Sequence, residues 1–431
     1  MMKITLGSGF RLAARCLLGA SVIATLAASP AAADTTVKWL YVETNPQVID
    51  YWKDVVQEFV GKNPGTHVDM QFLENEAFKA KLPTLLQSSD APDLFYTWAG
   101  GVMRAQADAG ALKDISKDMA GDWGQSFRPS ALEALTYKDK VWGAPDKASV
   151  VEFFYNKALF KKAGVDATQI RTWNDFLKAV TALKKAGITP ISVGGGEKWP
   201  VHFYWVYLAI RQGGEEAFKE ATSGNGDGFA GETFVKAGEL FKQLVDLEPF
   251  QPGWLGTNWP ATLGTFGDGR AAMVLSFSGT TPVLQRKNST NGLGIPEADL
   301  GTFSFPMVEG GKGEPTDTMG GINGWLVSKK ASKEAIDFLR FLTSAENQKR
   351  LAERNLNIPV VKGAETALTD PLLKQAAEEF ARSTYQQNFY DQDLGPAVGR
   401  VVNDATTDLA SGAITPEETA QQIQDAWELE Q

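Results

Sequence analysis

The sequence predicts an α/β protein of two domains, on three observations. About 400 residues follow an N-terminal leader in a chain of 431, above the usual ceiling of ~250–300 for a single hydrophobic core. From Thr36 onward short apolar strands alternate with amphipathic helices, the order that builds a largely parallel sheet with helices packed on it. The same alternation starts again after Val150, so a second α/β unit follows the first.

The leader reads as a secretory signal. Lys3, Arg11 and Arg15 precede the apolar stretch from Leu17 to Leu26, and Ala31-Ala32-Ala33 then meets Asp34. A basic segment, a short apolar segment and a small-residue cleavage site are the parts of a signal peptide. A membrane anchor would need roughly 20 apolar residues. The expectation is therefore cleavage after Ala33, with 1–33 removed and the remainder exported to the periplasm. The one cysteine, Cys16, lies within the leader, so disulfides and thiol catalysis are not expected in the mature chain. Cys16 precedes the apolar stretch, not the first mature residue, which argues against a lipid anchor. Without the three leader cations the formal balance is (42 − 3) − 52 = −13. Such an acidic chain is not expected to bind nucleic acid or anionic membranes, which select clustered Lys and Arg.

Taken in order, Val37 to Val42 forms a strand and Glu43-Thr44-Asn45-Pro46 a loop. Val48, Trp52, Val55, Val56 and Phe59 then recur at helical spacing up to Asn63-Pro64-Gly65. Val68, Met70 and Phe72 alternate with polar residues as a half-buried strand. A helix around Glu76 to Gln87 and a strand over Asp93 to Thr97 complete the first unit. Further on, Val150 to Tyr155 is a strand, with Asn156 capping the next helix. Thr172 and Asp175 form a capping box in which Asp replaces the usual Glu or Gln. Ile188 to Val193 reads as a strand, and the chain is mainly helical from there to Gly267. Strands at Ala271 to Leu275 and Gly324 to Ser328 follow, and Ser332 caps a helix reaching Leu342. Gly194-Gly195-Gly196 lacks the lysine and spacing of a phosphate loop and is a strand-to-helix turn.

Several segments carry a resemblance. Ala91-Pro92-Asp93-Leu94-Phe95 with Trp98, Val141-Trp142-Gly143-Ala144-Pro145, Phe153 to Phe160, Thr172 to Phe176, Phe266 to Met273, and Gly320-Gly321-Ile322-Asn323-Gly324 are similar, in that order, to extracellular solute-binding proteins of ATP-driven importers. The similarity is to the sugar-binding group that includes maltose-binding protein. It implies a periplasmic binding protein-like fold: two discontinuous α/β lobes, a hinge crossed three times, and a ligand cleft between them. Crossings are expected near Ala144 to Lys147, Phe305 to Met307 and Thr343-Ser344. The N-lobe is then 34–145 plus 307–343, and the C-lobe 146–306 plus 344–431. The implied function is capture of a sugar or short oligosaccharide by a monomer that delivers it to the membrane permease, without a cofactor.

A sugar offers hydroxyls on its rim and C–H groups on its faces, so its site mixes aromatic rings with Asp, Glu, Asn and Lys. Ligands of open α/β sheets gather beyond the carboxyl ends of the strands. That rule selects Glu43, Thr44, Asn45 and Asn75. It also selects Trp98, with Gly100 beside it to let backbone N–H groups approach a ligand. Asp146 and Lys147 stand at the first crossing. Ser278 follows a strand, and Gly321 and Asn323 lie in the Gly-rich segment. Trp199 opens a helix carrying His202, which is read equally as a ligand donor or as a structural residue. Trp254 and Trp259 are looser candidates, and more than half of the twelve Trp are expected in the core. Asp393, with Asp391, precedes a helix and serves either the cleft or a cap.

Two rivals remain at this level. An enzyme, for instance a glycosidase, is disfavoured by the absence of a Gly-x-Ser-x-Gly or His-Glu-x-x-His motif and by only two isolated histidines, His67 and His202, which also make no metal site. The same fold binding a polyol, a polyamine or another small solute stays open, because Glu43, Asp146, Asp391 and Asp393 are carboxylates a polyamine would use. N-terminal sequencing of exported protein is expected to begin at Asp34; a start upstream of Ala32 would contradict the leader.

Overall fold

The computed structural model describes residues 34–224 and 226–431; the leader expected over 1–33 lies outside them. Nine of the described strands form one continuous sheet, and Thr136–Tyr137 and Lys140–Val141 form a separate two-stranded one. On one side the order is Thr66–Phe72, Thr35–Tyr41, Leu94–Thr97, Thr318–Val327, Gly143–Asn156, Ile358–Pro359. The first three are parallel, as the strand–helix alternation predicts, and the later members are antiparallel. Gly143–Asn156 then runs on, so that Val151 to Asn156 pairs with Met273–Phe277 and Leu300–Phe303.

Two large cores divide along that strand, and a smaller cluster gathers Phe154, Leu263, Phe266, Val274 and Leu300. Ala144, Ala148 and Val150 are buried with Val37, Trp39, Leu94 and Trp325 in the first core. Val151 and Phe153 are buried with Trp173, Phe203, Met273 and Phe305 in the second. The chain changes core at Val150–Val151, again between Met319 and Ile322, and between Ala376 and Tyr385. The first point lies close to the crossing expected near Ala144 to Lys147, while the other two differ from those expected near Phe305 to Met307 and Thr343-Ser344. Phe305 stacks on Trp173 and Tyr207 (5.6 and 4.5 Å), which holds the segment after it to the second lobe. Leu351, Leu373 and Ala376, assigned from the sequence to the C-lobe, are buried in the first core because their helices cover its sheet.

Local signals account for most helix starts. Asn45, Asn156, Ser332 and Asp370 accept backbone N–H bonds at their helix N-termini, and the Thr172–Asp175 capping box is formed. The segment Ile188 to Val193 is not a ladder strand. Only Ile191 bridges to its neighbours, Phe250 and Met273. Pro190 has no N–H to donate, which is one reason a regular ladder does not form there. No helix among the described residues is long and apolar enough to cross a membrane.

Aromatic packing links the first core to the space between the lobes. Trp39, Trp52 and Trp325 lie 4.9 to 5.3 Å apart. Tyr96 packs on Trp325 at 5.4 Å and Trp98 on Tyr96 at 5.1 Å. Such edge-to-face pairs are worth ~0.5–1.5 kcal/mol beyond the area buried.

The crossing strand carries a bulge. Pro145 pairs with Gly324 and Lys147 with Asn323, so Asp146 is an extra residue. A bulge re-aims the side chains on either side of it, and here Asp146 is buried while Lys147 reaches the interlobe space. Burial pushes the Asp146 carboxyl up to about 6 despite the neighbouring Lys147 ammonium. With the folded pKa above the unfolded one, Asp146 favours folding while protonated, and this contribution is lost as pH rises from about 4 through about 6. Asp146→Asn is therefore expected to gain stability over wild type across that window, by roughly 2–3 kcal/mol at neutral pH. Urea unfolding at pH 4 and pH 7 measures it; an equal difference at both pH values would contradict the assignment.

Candidate functional site

A cavity of about 220 Å³ lies between the two cores. Its rings come from both lobes: Tyr96 and Trp98 from the first, and Trp199, Phe203, Trp259, Phe277 and Phe389 from the second. Trp199 is fixed by Trp259 at 4.9 Å and by Phe277 at 5.7 Å. The Glu197 carboxylate accepts the Trp259 backbone N–H at 2.9 Å and so ties that ring's helix to the loop before Trp199. Trp98 is braced by Tyr96 and by Phe78, 5.8 Å away.

The polar lining is mostly paired. Glu43 accepts the backbone N–H groups of Thr44 and Asn45 (2.9 and 2.8 Å) and the Lys147 ammonium at 2.8 Å. Burial by itself would raise the Glu43 carboxyl, but Lys147 and the two N–H groups outweigh it and hold the pKa below the usual value. The Lys147 pKa is raised in turn: burial opposes its charge and the Glu43 carboxylate prevails. Both groups are therefore ionised, one accepting and the other donating. Across the cavity Lys79 lies 3.4 Å from Asp391 and 5.5 Å from the Trp98 ring centroid. The Ser278 hydroxyl accepts the Val150 N–H at 3.1 Å, leaving its own proton to donate. The side-chain oxygens of Asn323 and Asn357 have no protein partner. Buried acceptors are normally satisfied, so these two are available to hydroxyl donors.

Of the residues selected from the sequence, the structure gathers Glu43, Thr44, Asn75, Trp98, Lys147, Trp199, Ser278 and Asn323 on this cavity, with Asp391 and Trp259. The others lie elsewhere. Asn45 is buried as the N-cap of Pro46–Lys62 and accepts the Gln47 N–H. Asp146 is turned away by the bulge. His202 is fully buried, edge-on to Phe203 and behind the cavity wall. Gly100, Gly321 and Asp393 line a separate interlobe groove. There the glycines admit protein, not ligand. A Cβ at Gly101 would lie 2.5 Å from the Asp393 carbonyl oxygen, and one at Gly100 would lie 2.9 Å from the Asp393 Cα. Asp393 is held by Arg104, and Trp254 packs on Phe250 outside the cavity. Trp39, Trp52, Trp142 and Trp173 are buried in the cores.

Sequence reasoning did not select Lys79, Tyr96, Glu197, Phe203, Phe277, Asn357 or Phe389. Tyr96 and Phe277 adjoin strand ends already flagged, and Lys79 is a cation one position from the buried Phe78. Asn357 and Phe389 carry no local signal, since both sit in segments brought in from far along the chain.

Comparisons place this architecture. The family model for bacterial extracellular solute-binding proteins matches residues 45–349. A multiple sugar-binding protein from Streptococcus mutans is 23% identical over 338 residues, covering 74% of each chain. An sn-glycerol-3-phosphate-binding periplasmic protein from Agrobacterium fabrum is 27% identical over 383 residues, covering 81% of this chain and 79% of that one. The solved structure of a chitin oligosaccharide binding protein superposes with a TM-score of 0.82 at 25% identity, covering 92% of this chain and 98% of the other. With two lobes, a cleft lined from both, and a family match across most of its length, this chain belongs to the bacterial extracellular solute-binding proteins.

Proposed function

We propose that the protein captures a neutral sugar or short oligosaccharide in the interlobe cavity and, as an exported monomer, delivers it to the permease of an ATP-driven importer. The observation that carries this reading is the composition of the cavity. Aromatic rings from both lobes face each other, and the cations among its lining residues, Lys147 and Lys79, each meet a carboxylate, Glu43 and Asp391. No arginine lines it. A phosphorylated or carboxylate ligand would find no uncommitted cation, whereas sugar hydroxyls meet Glu43, Lys147, Asn323 and Asn357, and C–H faces meet the rings.

The same accounting disfavours a polyamine. Of the carboxylates it would use, Asp146 and Asp393 are off the cavity, while Glu43 and Asp391 are neutralised by lysines. Glu74 caps the helix Asn75–Gln87, and Glu197 serves the Trp259 N–H. Relatives support the carbohydrate class, among them the S. mutans sugar-binding protein and a diacetylchitobiose binding protein from Streptomyces coelicolor, 25% identical over 355 residues. Binding without turnover is the activity expected, and intact recovery of a labelled oligosaccharide after incubation checks it.

The lobes touch on both sides of the cavity. Lys287 donates to the Thr44 carbonyl at 2.7 Å, and Asn388 donates to the Trp98 carbonyl at 3.1 Å. Contacts made from two lobes exist only when the cleft is shut, so ligand shifts the population toward this form.

A thermal-shift screen over sugars, polyols, polyamines and metals is expected to pick out a sugar, with affinity near micromolar, about −8 kcal/mol. A response to spermidine alone would overturn the reading. Trp98→Ala and Trp199→Ala should each lose ~0.5–1.5 kcal/mol beyond the area they bury; unchanged affinity in both would remove the site assignment. Ligand should also lower the radius of gyration in solution scattering. Gly101→Ala, whose Cβ meets backbone of the opposite lobe, should blunt that change and weaken binding about tenfold without touching the cavity. A wild-type scattering profile unaltered at saturation would rule out closure.

A further inference from the structure

The cavity shares one wall with a larger neighbouring chamber of about 1040 Å³. Lys79, Tyr96, Trp98, Glu197, Asp391 and Gln392 border both spaces. Beyond that wall the chamber runs between the helices Asn75–Gln87 and Pro396–Ser411, one from each lobe. It is roomy enough for several sugar units. The cavity itself is not. An apolar cavity of ~150 Å³ is filled by benzene, and on that scale about 220 Å³ takes one pyranose ring with its hydroxyls.

The centre of the wall is an ion pair. Lys79 Nζ lies 3.4 Å from Asp391 Oδ2 and 3.2 Å from Glu76 Oε1. Asp391 is steadied from behind by the side-chain amides of Gln392 (3.1 Å) and Asn403 (3.4 Å). The Lys79 and Asp391 side chains are 25% and 7% exposed, so their attraction is less screened than that of a surface pair. Lys79 belongs to a helix of the first core and Asp391 to the segment 385–431 of the second. The pair therefore exists only when the lobes are together. A second sugar unit leaving the cavity past Trp98 would occupy the place where the two charges meet.

We propose that the Lys79–Asp391 pair is a length-limiting wall: it forms behind a single-ring ligand as the lobes close, so that the closed state selects a monosaccharide over longer chains of the same sugar. Lys79 is then a specificity-determining residue. This rests on the carbohydrate reading of the cleft and narrows it to one sugar unit.

Calorimetric titration of the leader-free chain with three series tests it: N-acetylglucosamine, diacetylchitobiose and triacetylchitotriose; xylose, xylobiose and xylotriose; glucose, maltose and maltotriose. Within the series that binds, wild type should favour the single ring over the trimer by about tenfold or more, and Lys79→Met should shrink that ratio to about threefold or less. Asp391→Asn, which removes the charge at nearly constant volume, should shrink it likewise, and Lys79→Arg should retain it. Thermal unfolding identifies any variant that fails to fold, in which case the other one carries the comparison. A wild type that binds the trimer as well as the single ring, or a ratio unmoved in folded Lys79→Met and Asp391→Asn, overturns the length limit alone. Failure of every sugar to bind overturns the carbohydrate reading as well.

Discussion

The antiparallel pairing of Gly143–Asn156 with Thr318–Val327 is the constraint on which the rest of the molecule depends. These two strands are shared by both lobes, and their ladder from Gly143↔Leu326 to Val150↔Gly320 brings the chain to the boundary between the two cores. Backbone hydrogen bonds continue across that boundary while side-chain packing does not. Trp39, Trp52 and Trp325 pack on one side of it and Trp173, Phe153 and Phe305 on the other. The Asp146 bulge lies in the same ladder and places Lys147 opposite Glu43. One irregularity in this strand pair thus sets one pole of the cavity, and the boundary between the cores lies a few residues further along the same strand.

From that strand pair the cleft's chemistry follows. Two ion pairs, Glu43–Lys147 near the hinge and Lys79–Asp391 at the shared wall, bracket a belt of aromatic rings. The first pair joins residues of the first lobe and its hinge strand, so it can persist when the lobes part. The second joins opposite lobes and cannot. A buried charge pair is weak evidence for stability, because desolvation offsets much of the attraction. The more informative property is direction: Glu43 accepts, Lys147 donates, and both are held in place by partners other than the ligand. A site whose charges are already matched selects a neutral, hydrogen-bonding guest.

Glycine shows how the same residue type serves different ends. Gly100 suggests from the sequence a backbone opened toward a ligand, and Gly101 follows it. In the folded chain the missing side chains admit the Asp393 to Gly395 backbone of the opposite lobe, so the space beside them is filled by protein. Which object fills the space beside a glycine is a tertiary fact, and no local pattern carries it.

The sequence by itself determined the α/β class, the strand–helix order of the first unit, the caps at Asn156, Thr172 and Ser332, and the strand ends where Glu43, Trp98 and Ser278 meet the cleft. These depend on periodicity and on backbone groups within a few residues, so they are written locally. Only the tertiary structure decided where the chain changes lobes, that Gly143–Asn156 is one strand despite Pro145, and that Lys79, Asn357 and Phe389 join the cavity. Those outcomes depend on which apolar face finds which core across hundreds of residues. Leu351 and Ala376 pack on the first core because its sheet needs covering, and Asp391 reaches Lys79 because the two lobes meet there; neither cause is visible in the neighbouring sequence.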